Sequence, residues 1–119
     1  MPTDSLHLTP EMLRAAYDYL RVTPPFNRWK LPPADEVEFH VTRHKDRTGD
    51  CETGVAGSEP IIRISAALVG WTTSLMATMA HEIVHVYLDR KGVRSHHGAA
   101  FRRCAAQVCR RHGFDPKLF

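Results

Sequence analysis

Between residues 73 and 91 the apolar side chains Leu75, Met76, Met79, Ala80, Ile83, Val84, Tyr87 and Leu88 recur at steps of three and four. That is the period of a helix with a buried stripe. Thr72, Thr73 and Ser74 offer N-caps at its start, and Gly92, following Arg90 and Lys91, offers a stop at its end. A similar stripe runs through Phe101, Cys104, Ala105 and Val108 over residues 98–112 and halts at Gly113. A third helix opens with Thr9 as N-cap, Pro10 as first helical residue and Glu11 in the first turn. Its face is Leu13, Ala16, Tyr17 and Leu20, and it ends before Pro24-Pro25.

Between these helices the period changes to two. Val37, Phe39 and Val41 alternate with Glu36, Glu38, His40 and Thr42, which predicts a half-buried strand running into a polar turn at residues 45–50. Residues 51–56, interrupted by Gly54, read as a short strand, and residues 60–65 as a more buried one. The predicted architecture is α+β: an N-terminal helix, a small two- or three-stranded sheet and two C-terminal helices.

Composition bounds this picture. A chain of 119 residues with 43% hydrophobic content supports one core and is too short for two, so residues 1–119 are expected to form a single domain. No apolar run is long enough to span a bilayer, and Met1-Pro2-Thr3-Asp4-Ser5 lacks the basic and apolar regions of a signal peptide. A cytoplasmic monomer without a membrane partner is expected. Cys51, Cys104 and Cys109 form no CxxC pair, which argues against a disulfide framework or zinc ribbon. Cys104 and Cys109, on or near the last helical stripe, read as buried thiols.

Charge is uneven. Residues 1–60 carry 7 Lys and Arg against 10 Asp and Glu, whereas residues 61–119 carry 9 against 3. Beyond His85, the cations Arg90, Lys91, Arg94, Arg102, Arg103, Arg110, Arg111 and Lys117 face only Asp89 and Asp115. Such a surface suits phosphate contacts with DNA, and equally a solvated helix face.

The most specific chemistry lies on the helix over residues 73–91, in His81-Glu82-Ile83-Val84-His85. Positions four apart project from one side of a helix, so His81 and His85 can share a metal ion, while Glu82, about 100° round, can reach a water beside it. Two imidazoles leave room for a third protein ligand and an open position. Val86 to Gly92 contains no His, which excludes the metzincin continuation. After the loop Gly92-Val93-Arg94-Ser95 come His96 and His97, just ahead of the next helix. His97 is the better-placed third ligand and His96 the alternative.

The HEIVH motif, followed after a short interval by His97-Gly98-x-x-Phe101, resembles the SprT-like metallopeptidases. The likeness extends upstream through Phe26-Asn27-Arg28-Trp29, Gly49-Asp50-Cys51 and Ile61-Ile62-Arg63-Ile64-Ser65 and covers nearly the whole chain. Its specificity resides in the two His-containing motifs. The resemblance implies a zincin-like minimal metallopeptidase domain, with Zn2+ held by His81, His85 and His97 and Glu82 as general base. Substrates would be proteins or peptides, and since the family includes a protease of DNA–protein crosslinks, DNA-bound proteins among them.

Other residues carry weaker signals. His40 and His44 fall on the polar side of their strand and read as ordinary surface histidines. Tyr87 lies off the His81/His85 line and reads as core, so no oxyanion donor emerges. Trp29 and Trp71 read as packing residues rather than platforms for nucleobases. Residues 51–56, with their small side chains, are the expected edge for pairing with an extended substrate. A reading from another class is a basic nucleic-acid-binding module with structural zinc, in which His96 fills the fourth position and Glu82 is dispensable. A zinc hydrolase of non-peptide amides would share the same site.

Overall fold

A computed structural model describes residues 7–53, 59–93, 97–117 and 119. The expectations for residues 1–5 and 54–56, Arg94 and His96 lie outside the described residues.

Helix α1, Pro10–Arg21, starts where the sequence places it: the Thr9 hydroxyl accepts from the Met12 N–H at 3.2 Å, and Pro10 needs no donor at the first turn. Leu13, Ala16, Tyr17 and Leu20 are its buried face. Tyr17 is fully buried, its hydroxyl donates to the Pro32 carbonyl at 2.6 Å, and its ring meets Phe39 edge-on.

Strands β1 (Glu38–Thr42), β2 (Gly49–Glu52) and β3 (Ile61–Ser65) form one sheet in the order β1-β3-β2. The last strand is inserted between the first two. It runs parallel to β1, from Glu38 opposite Ile61 to Thr42 opposite Ser65, and antiparallel to β2. Ile62 and Ile64 point into the core at 0% exposure, as expected for a central strand. On the opposite face Arg63 bridges Asp50 and Glu52 of β2, each at 2.8 Å. The second strand begins at Gly49, inside the expected polar turn, because Asp50 is held by this cross-strand ion pair.

Helix α2, Thr72–Arg90, packs against α1, β2, β3 and helix α3, Ala99–His112. Its N-cap is Trp71, not the expected Thr72, Thr73 or Ser74; the Ser74 hydroxyl reaches back to accept the Trp71 N–H at 3.2 Å. Its end is a Schellman turn. Gly92 has φ of 79°, and the Val93 N–H returns to the Leu88 carbonyl at 2.9 Å. Val86, outside the expected stripe, is fully buried, so α2 is covered on more than one side. Among the described residues no helix is long and apolar enough to cross a membrane.

The segment after α1 is tied down by aromatics. Trp29 stacks on Tyr87 at 4.2 Å and meets Phe26 edge-on at 5.1 Å. Trp29 and Tyr87 thus pack on each other, whereas Trp71 is 54% exposed, contrary to expectation, because it precedes α2 at the surface. His112 Nε2, at the end of α3, lies 3.0 Å from both the Thr23 hydroxyl and the Pro24 carbonyl.

Candidate metal centre

Helix α2 carries His81 and His85 one turn apart, and His97 lies beside them, one residue ahead of Gly98, the N-cap of α3. The Nε2 atoms form a nearly equilateral triangle with sides of 3.3, 3.2 and 3.3 Å. A tetrahedral ion with Zn–N distances of roughly 2.0–2.1 Å has ligand-to-ligand edges of about 3.3–3.4 Å, so the three nitrogens fit one such ion. The three histidines sit close enough to hold a single metal ion. His81 and His85 are half-buried and His97 is exposed, leaving one side of the triangle accessible.

The rings are oriented by their surroundings. His81 Nδ1 lies 2.6 Å from the main-chain oxygen of Phe119. An unprotonated main-chain oxygen can only accept, so Nδ1 carries the proton and the Nε2 lone pair faces the triangle. Burial holds His81 below the usual imidazole range, opposed by the Phe119 bond and reinforced by His97. The neutral ring is the metal-binding form. Beneath the triangle lies Phe101, 6% exposed, with its ring centroid 4.8, 4.7 and 4.9 Å from those of His81, His85 and His97. Arg102, grouped by sequence with the other cations of α3, donates to the His97 carbonyl at 3.2 Å and holds the backbone there.

Truncation after Phe114 should weaken zinc affinity about 10–100-fold, the usual effect of losing a partner that orients a ligand. Competition with a chromophoric chelator measures it, and an unchanged affinity would mean that His81 is oriented by something else.

Glu82 is 4% exposed, and among the described residues no hydrogen bond or ion pair reaches its carboxylate. Burial, with a smaller contribution from Asp50, pushes its pKa up to about 8. A carboxyl group so tuned can take or hold a proton near neutral pH. Gly49 of β2 is what gives it room: a Cβ there would lie 2.8 Å from the Arg63 carbonyl, 3.1 Å from Thr78 Cγ2 and 3.2 Å from Glu82 Oε2. Gly49→Ala is accordingly expected to destabilise the fold by about 1–3 kcal/mol, the usual cost of overpacking, and urea denaturation measures it. A variant as stable as wild type would contradict the close approach of β2 to α2.

The other candidates fall elsewhere. His40 and His44 are exposed and lie 3.2 Å from Glu38 and Arg47, respectively. The Cys51, Cys104 and Cys109 thiols are all free and all shifted upward by burial, so none is poised as a thiolate ligand. Cys109 is buried and Cys104 half-buried. Among the described residues, the expected substrate edge at residues 51–56 corresponds to β2 at Cys51 and Glu52, and β2 is an edge strand. Phe101 was visible in the sequence as the aromatic four residues after His97. Gly49 carried the general signal of a strand glycine, close backbone approach. Nothing in the sequence pointed to Phe119.

A family model described as the SprT-like family matches residues 19–118. No curated protein matches the chain.

Proposed function

The chain belongs to the SprT-like family, and from that premise and its converging imidazoles we propose that it is a zinc metalloendopeptidase. In this reading His81, His85 and His97 hold the metal and Glu82 is the general base. One observation carries it: a nitrogen triangle sized for a tetrahedral ion shares a helix with a buried carboxyl group one residue along from His81. Zinc held by three neutral imidazoles would supply Lewis acidity to a peptide carbonyl and an acidified water as nucleophile.

The protein's own residues do the rest. Glu82 accepts the proton of the attacking water at a carboxylate oxygen and delivers it to the departing amine nitrogen. Its burial shields that proton from exchange with bulk solvent. Phe119 and Arg102 keep His81 and His97 in place, so the site needs little reorganisation. The accessible side of the triangle, at His97, admits an extended chain, and the edge strand β2 is assigned to pair with it.

The substrate class we favour includes proteins held on DNA. Arg103, Arg110 and Arg111 are exposed, and among the described residues no carboxylate pairs with them. Zinc-loaded protein should cleave an unfolded substrate such as casein, lose that activity to a chelator and regain it on adding zinc. Failure of a fully zinc-loaded chain to cleave any unfolded protein would overturn the reading.

A further inference from the structure

Away from the histidines, a cavity of about 370 Å³ opens between the Pro24–Trp29 segment and the end of α3. Its size lies within the roughly 300–1,000 Å³ of small-ligand pockets. Arg28 lines one wall, and Gln107, Arg110 and Arg111 line the other. Positions 107, 110 and 111 share one face of α3 by their spacing. Pro24, Pro25 and Trp29 complete the lining, and none of these residues belongs to the metal centre.

We propose that this cavity binds a nucleotide, its phosphate on the three guanidiniums and its base against Trp29 and the prolines. This places the nucleic-acid contact suggested above and does not depend on the peptidase reading.

Three arginines from two separate elements converge here. The lining contains no carboxylate, and none of the three is ion-paired among the described residues. Cations near a helix C-terminus are ordinary on their own. Convergence with Arg28 from the facing wall is different, because an anion seated among like charges relieves their mutual repulsion. Guanidinium forks match phosphate oxygens in geometry.

The apolar part of the cavity is held rigid. Trp29 is stacked on Tyr87 at 4.2 Å and flanked by Phe26 at 5.1 Å, so the indole is fixed before any base arrives. The His112 contacts to Thr23 and Pro24 hold the two walls together. Gln107 carries both a donor and an acceptor for the edge of a base.

Nucleotide chemistry has two sources, a free mononucleotide and one unit of a single strand. The test titrates zinc-loaded protein, in a Trp71→Phe background, with adenosine 5′-monophosphate, adenosine and a single-stranded oligodeoxynucleotide, following Trp29 fluorescence. The nucleotide and the oligonucleotide should quench it, and adenosine should bind at least about tenfold more weakly, having lost charge-assisted hydrogen bonds. Arg28→Glu and Arg110→Glu should each lower affinity about tenfold or more. Arg43→Glu, an equal charge change at an exposed residue just after β1 and outside the cavity lining, should cost less than about threefold. Zinc content should be unchanged throughout.

A mononucleotide that binds as tightly as the strand identifies the free ligand as the source, and a much tighter strand identifies nucleic acid. Absence of binding by either overturns the proposal. So does equal weakening by Arg43→Glu and the cavity variants, in which case general nucleic-acid affinity survives and the cavity does not.

Discussion

Glu82→Gln is expected to retain zinc and fold while losing hydrolysis by about 10²–10⁴-fold, the usual contribution of a general base. Glutamine has nearly the same shape, so the packing of Glu82 between α2 and Gly49 survives, but an amide cannot take a proton from water. The check is kcat/KM on an unfolded protein substrate beside zinc content by elemental analysis. Activity within about tenfold of wild type would remove Glu82 from the chemistry.

The same substitution has an opposite effect on the metal-free protein. The folded-state pKa of Glu82, about 8, lies above its ordinary value of 4.5. Its contribution to stability is therefore fully present below about pH 4.5 and lost as pH rises through about 8. Metal-free Glu82→Gln should melt progressively higher than metal-free wild type as pH is raised from about 5 to about 9. A gap that does not change with pH would show that burial does not penalise the charged form.

His97→Ala carries the other large expectation, a loss of zinc affinity exceeding the roughly 100-fold at the upper end of outer-shell effects, because a ligand itself is removed. His96→Ala should leave affinity near wild type. Dialysis against a graded chelator, followed by elemental analysis, separates the two. The reverse pattern would transfer the third ligand to His96, and retention by both variants would end the three-histidine centre.

Local order was legible in the sequence wherever one element determined it. Thr9 and Pro10 announced the start of α1, the three- and four-residue spacing located α2 within one residue at each end, and Gly113 marked the end of α3. The HExxH pair was legible for the same reason, since four-residue spacing on a helix fixes two side chains on one side. What escaped was set by contacts distant in sequence. Insertion of β3 between β1 and β2 depends on pairings that no local pattern encodes, and the early start of β2 depends on Arg63 reaching Asp50 and Glu52. The role of Phe119 arises because its oxygen meets His81 from 38 residues away. Trp71 was misjudged because a tryptophan before a helix is often packed, and here Ser74 caps the helix without covering the indole.

The zinc K-edge absorption spectrum of the wild-type protein bears most directly on the centre itself. The account predicts three imidazole nitrogens and one non-imidazole oxygen near 2.0 Å, a three-histidine ion with an open position, at roughly tetrahedral geometry. Four imidazoles, with His96 closing the fourth position, would contradict it and make the zinc structural.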